Sequence, residues 1–75
     1  METFIDFIHE LEKHNIAYDL TQERDHYVLL DIGRPGKKRE VEFSSTGDVI
    51  VEGNKNMGDV EGAEILEYIF NNYSL

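Results

Sequence analysis

The sequence has no cysteine, a single proline, few basic residues and no long apolar run. Without cysteine, neither a disulfide framework nor a thiolate metal site can supplement the hydrophobic core, and the chain is indifferent to redox compartment. No stretch approaches the roughly 20 apolar residues of a membrane span. The opening Met1-Glu2-Thr3-Phe4 has neither the basic segment nor the apolar segment of a secretory signal, so the expectation is a cytoplasmic protein with no membrane partner.

What is present suffices for folding. Of 75 residues, 40% are hydrophobic and eight are aromatic, which sets the chain apart from a disordered tail and points to one domain spanning 1–75. At this size a core supplies only about 3–5 kcal/mol, so every apolar stripe is needed. Sixteen acidic residues face seven basic ones, a net charge of −9. Four of the seven bases, Arg34, Lys37, Lys38 and Arg39, fall in one short segment. The rest of the chain sets three bases against all sixteen acids, a net of −13. Such a surface repels nucleic acid and anionic lipid and attracts basic proteins.

Phe4, Phe7, Ile8 and Leu11 recur at helical spacing, flanked by Ile5, and predict an amphipathic helix from about Glu2 to His14. Thr3 with Asp6 three positions on is the expected cap, and Asn15 the expected left-handed terminator. From Ile16 the period becomes two, with Ile16, Tyr18 and Leu20 on the inward side of a half-buried strand. Gln22-Glu23-Arg24-Asp25 reads as a turn. The nearly continuous apolar run Tyr27–Ile32 reads as a central strand covered on both faces for much of its length. Pro35-Gly36 suits the middle of a type II turn. Next come a strand over Arg39–Phe43, a turn over Ser44–Asp48, a strand over Val49–Glu52 and a polar loop over Gly53–Gly58. Asp59 is the expected N-cap of a second helix reaching Asn72, with Leu66, Ile69, Phe70 and Tyr73 as its stripe, widened by Ile65. The expected architecture is α+β: a three- to four-stranded antiparallel meander with both helices on one face.

Catalytic and metal constellations are not assembled by this pattern. His9 and His14 diverge by about 140° around a helix and do not share a metal. Glu10 and His14, four apart, read as a surface ion pair. His26 with Asp25, and Ser44 with Ser45, supply the residue types of a nucleophilic triad without its sequence context, and both serines are natural turn formers. Asp19, Asp25 and Asp31 have no separation that the sequence defines. The segment Gly33–Arg39 places proline where a phosphate cradle needs an amide, and it joins two strands instead of opening a helix. The sequence therefore assigns no catalytic residue, no metal ligand and no cofactor.

The acids form rows: Asp6 and Glu10 on the first helix, Glu40 and Glu42 on a strand, Glu61, Glu64 and Glu67 along the second helix. Like charges at these spacings cost some stability, and the seven residues form the expected partner-binding set. In element order, size and charge the chain resembles the compact acidic inhibitors that phages use against host defence nucleases, anti-CRISPR proteins among them, and the immunity proteins that neutralise nuclease toxins. That resemblance implies a basic protein partner, such as a nuclease. Carboxylates would take the place of nucleic-acid phosphates, which carry one charge per roughly 1.7 Å of duplex. Nucleic acid itself is not an expected ligand, and the chain would be a monomer or homodimer. The alternative expectation is a structural or regulatory adaptor that pairs or self-associates through its sheet.

Overall fold

The apolar stripe of the first segment winds into α1 (Glu2–Lys13), which buries Phe7 and Leu11. The computed structural model describes residues 2–58 and 60–75. Helix α1 ends as Asn15 predicts: Asn15 is left-handed (φ 58°), and the Asn15 and Ile16 amides donate back to the Glu12 and Leu11 carbonyls at 3.1 and 2.8 Å. This is a Schellman closure. The expected N-terminal cap is different, because Thr3 lies inside the helix and the Asp6 carboxylate turns to the second helix instead.

Five strands follow: β1 (Tyr18–Glu23), β2 (Tyr27–Ile32), β3 (Arg39–Ser44), β4 (Val49–Val51) and β5 (Lys55–Asn56). They form one antiparallel sheet in the order β1-β2-β3-β4-β5. The expected meander is present with one strand more than the sequence indicated. The fifth strand arises because Glu52 and Gly53 both take positive φ (52° and 70°) and Asn54 N–H closes on the Val51 carbonyl at 3.0 Å, the pattern of a mirror-image turn. The turn at Pro35-Gly36 is as expected, with Gly36 at φ 85° and Lys37 N–H donating to Arg34 at 3.0 Å.

Alternation along the strands decides the faces. Leu30 and Ile32 of β2, Val41 and Phe43 of β3, and Val49 and Val51 of β4 are buried against Phe7, Leu11, Ile65, Leu66 and Ile69 of the helices. Burial of each such side chain contributes on the order of 1.5–3 kcal/mol. Phe43 sits between Phe4 and Phe7, with ring centroids 5.3 and 5.5 Å away. Both helices thus lie on one face and the other face has no layer over it. The expectation that β2 is covered on both faces fails for that reason: Leu29 and Asp31 point to the open side. Strand β1 runs to Glu23, past the turn expected at Gln22–Asp25, and is almost wholly exposed. Leu20 stands opposite the buried Leu30 on the helix side, as its period implies, but at the edge strand it stays 51% exposed; a bulge between Leu20 and Gln22 then shifts the register of the rest of the strand.

Helix α2 (Gly62–Asn72) starts two residues later than the sequence suggested, with Glu61 as N-cap; Asp59, the expected cap, lies outside the described residues. Its start is fixed by a close approach of backbones. A β-carbon on Gly62 would lie 2.6 Å from the Phe7 backbone nitrogen and α-carbon, so only glycine lets the helices meet there. Phe70, expected in the stripe, is 50% exposed and lies edge-on to His14.

Candidate partner-binding face of the sheet

The register places Asp19 of β1 opposite Asp31 of β2, and Asp31 opposite Glu40 of β3. All three alternate with core residues and so belong to the open face. With strands about 4.8 Å apart, they form a row of carboxylates crossing the sheet. The adjacent row holds Gln22, Leu29, Glu42, Ile50 and Asn56 in register. An acidic strip with Leu29 and Ile50 on either side of Glu42 results. Like charges directly opposite on neighbouring strands destabilise a sheet, so this row costs the fold something.

One cation answers it. Lys38, immediately before β3, reaches across the open face and its ammonium pairs with the Asp19 carboxylate. That hydrogen bond, with the charges of Asp19 and Asp31, raises the Lys38 pKa above its ordinary 10.5 against a smaller opposing effect of desolvation. The neighbouring Arg39 serves the fold. Its Nε donates to the Ser74 carbonyl at 3.1 Å, its Nη1 to Glu52 Oε1 at 3.2 Å, and the guanidinium stacks 5.1 Å from the Tyr73 ring centre. The other Glu52 oxygen accepts the Glu40 amide at 2.8 Å, which fastens this left-handed residue to β3. The basic segment is therefore divided: Lys38 and Arg39 are engaged within the chain, while Arg34 and Lys37 are exposed.

The seven acids singled out by the sequence do not share one surface. Glu40 and Glu42 lie on the open face. Asp6, Glu10, Glu61, Glu64 and Glu67 belong to the helix layer on the other side, and several have local duties. Asp6 Oδ2 accepts the Gly62 amide at 2.5 Å, satisfying a free donor at the start of α2. Glu64 reaches back to the Glu61 amide at 3.4 Å. Glu10 lies 3.7 Å from His14 Nε2. Glu67 is exposed on α2. Sequence reasoning missed Asp31 as the neighbour of Glu40, Asp19 beyond it, and Lys38 as their counterion.

The other candidates resolve locally. Ser45 N–H donates to the His26 carbonyl at 2.8 Å, so the two turns touch through backbone. The Ser44 hydroxyl is held by Thr46 Oγ1 and the Asp48 amide within its own turn, and the His26 ring lies edge-on to Tyr27. Among the described residues no group of three or more His, Cys, Asp or Glu is arranged to hold a metal ion. An open groove of about 610 Å³ runs between the start of α1 and the β3–β4 turn, with Phe4 and Phe43 beneath and Glu2 and Asp48 at its rim. The Asp48 oxygens there accept from Thr46 and Asn56. No described helix is long and apolar enough to cross a membrane.

Comparison with protein-family models, curated proteins and solved structures finds no match to this chain.

Proposed function

We propose that this protein is a cytoplasmic inhibitor or sequestering factor that binds a basic, nucleic-acid-handling protein on the open face of its sheet. The single observation that carries this reading is the aligned row Asp19, Asp31 and Glu40, with Glu42 beside it, on a face with no covering layer. Negative potential on such a row accelerates encounter with a basic groove, and Leu29 and Ile50 offer apolar contact once it is engaged. Binding, not turnover, is the activity in this reading, and it needs no cofactor.

The test is capture at low salt from the native host's lysate on two immobilised variants with equal charge change. One is Asp31→Asn with Glu40→Gln and Glu42→Gln; the other is Glu2→Gln with Glu23→Gln and Glu67→Gln. The open-face triple should lose a basic partner that wild type holds and that salt releases, while the scattered triple keeps it. Equal retention by both triples would move the site off the sheet.

The adaptor reading retains one specific observation, the unpaired outer edge of β1 with Leu20 exposed beside it. Asp19, Glu23 and the bulge oppose pairing of this edge with a second copy. A strict monomer by light scattering at high concentration would remove self-association.

A further inference from the structure

We propose that the outer edge of β1 takes up an extended segment of the partner, alternating basic and apolar residues, as an added antiparallel strand. The inference rests on the open-face reading and names the form of the partner that meets it. Strand β1 ends the sheet, and on its outer side no strand pairs with it among the described residues. Hydrogen bonds at the two ends of the β1–β2 ladder fix which of its backbone groups are free. The Gly33 amide donates to the Ala17 carbonyl at 2.8 Å, and the Arg24 amide to the Tyr27 carbonyl at 2.8 Å. Bonded and non-bonded pairs alternate along an antiparallel ladder. Counted inward from these ends through the register, Tyr18, Leu20 and Glu23 hold non-bonded positions, so their amides and carbonyls point out from the sheet.

A residue laid opposite Leu20 exchanges backbone bonds with it and sets its side chain on the helix side, where an apolar group covers the half-exposed Leu20. The next residue of the segment falls on the open face, at the end of the row Asp19, Asp31 and Glu40, where a basic group meets carboxylates. Strand β1 itself carries Asp19 and Glu23 and no cation. A second copy would bring another net charge of −9 to this edge, so a basic segment is the occupant that charge selects. The bulge after Leu20 interrupts the edge and keeps the docked stretch short, centred on Tyr18 and Leu20.

The experiment titrates the full chain into two short fluorescein-labelled peptides that alternate valine and lysine and follows anisotropy at low salt. One peptide is N-methylated on the backbone at its valines, the other at its lysines, so charge and composition are equal. In the antiparallel arrangement the valine amides face β1 and the lysine amides face away. The valine-methylated peptide should therefore bind about tenfold more weakly, the loss of two backbone bonds. Adding the lysine-methylated peptide should slow hydrogen exchange at the Tyr18 and Leu20 amides and leave Asp19, whose amide already faces β2, unchanged. Equal binding of the two peptides, the reverse order, or no binding of either overturns the proposal. Protection of Leu20 that rises with protein concentration in the absence of peptide also overturns it, by placing a second copy on the edge. The open-face triple, verified as folded by circular dichroism, separates the two levels. If wild type distinguishes the peptides and the triple binds as tightly as wild type, the open-face reading is wrong and the edge stands. If wild type binds both alike and the triple binds neither, the face stands and the edge is wrong.

Discussion

The Gly62 amide donates to the Asp6 carboxylate at the point where the two helices come closest, joining residues 56 positions apart. Both partners are specific to the place. Asp6→Ala leaves a helix-start donor without its acceptor and should cost about 1–2 kcal/mol in urea unfolding. Gly62→Ala forces backbones apart and should cost about 3 kcal/mol. An alanine at position 62 tolerated without loss would mean that the helices cross further apart.

Phe43 anchors the sheet between two rings of α1. Phe43→Ala should cost about 3–5 kcal/mol, as much as a domain this small has to lose, so the variant should lack cooperative thermal unfolding. Phe70→Ala removes a larger exposed surface and should shift stability by less than about 1 kcal/mol. Calorimetry of the two proteins makes the comparison.

Arg39 needs its fork. Arg39→Lys keeps the charge but cannot donate to Ser74 and Glu52 while stacking on Tyr73, and should cost about 1–2 kcal/mol. Glu52→Ala should cost a similar amount, and the double variant less than the two together, since they share one interaction. Hydrogen exchange at Tyr73 should quicken in Arg39→Lys, its amide being otherwise held by the Ile69 carbonyl at 2.8 Å.

Alkaline pH should loosen the fold at two recognisable places. Tyr18 donates to Glu12 Oε2, and this bond, together with partial burial and the Glu12 charge, raises the phenol above its ordinary 10.0. Lys38 is likewise raised by Asp19. Both groups hold their proton more tightly when folded, so the stability they lend is whole below those ordinary values and is lost as pH climbs through the higher folded ones. Melting temperature followed from about pH 9 to 12 should therefore decline more shallowly for Tyr18→Phe with Lys38→Met than for wild type.

Much of the sheet can be read before the fold is known. Counting outward from Pro35-Gly36 sets Ile32 against Arg39 and Asp31 against Glu40, as found, so two of the three carboxylates of the row could be aligned from one turn, though sequence reasoning missed that pairing. Asp19 could not be, because its alignment depends on the bulge after Leu20, and no glycine marks that position. The fifth strand escaped notice for a related reason. Glutamate seldom adopts positive φ, and Glu52 does so with its carboxylate bonded to the Glu40 amide and Arg39, contacts invisible at short range. Gly62 fell inside the expected second helix, where nothing in the sequence marks it as a contact point between helices. The helix acids were legible as charges but not as caps, since the partner of Asp6 lies at the other end of the chain.

Every strand pairs with its immediate successor, so the meander can assemble from nearby segments as they leave the ribosome. The helices are different. Helix α1 precedes the sheet in the chain, yet its docking partner follows it, and until Gly62 arrives the apolar side of α1 has only the sheet to cover it. The interior of this domain therefore stays unfinished while all five strands emerge, and the docking of α2 makes folding an event of completion.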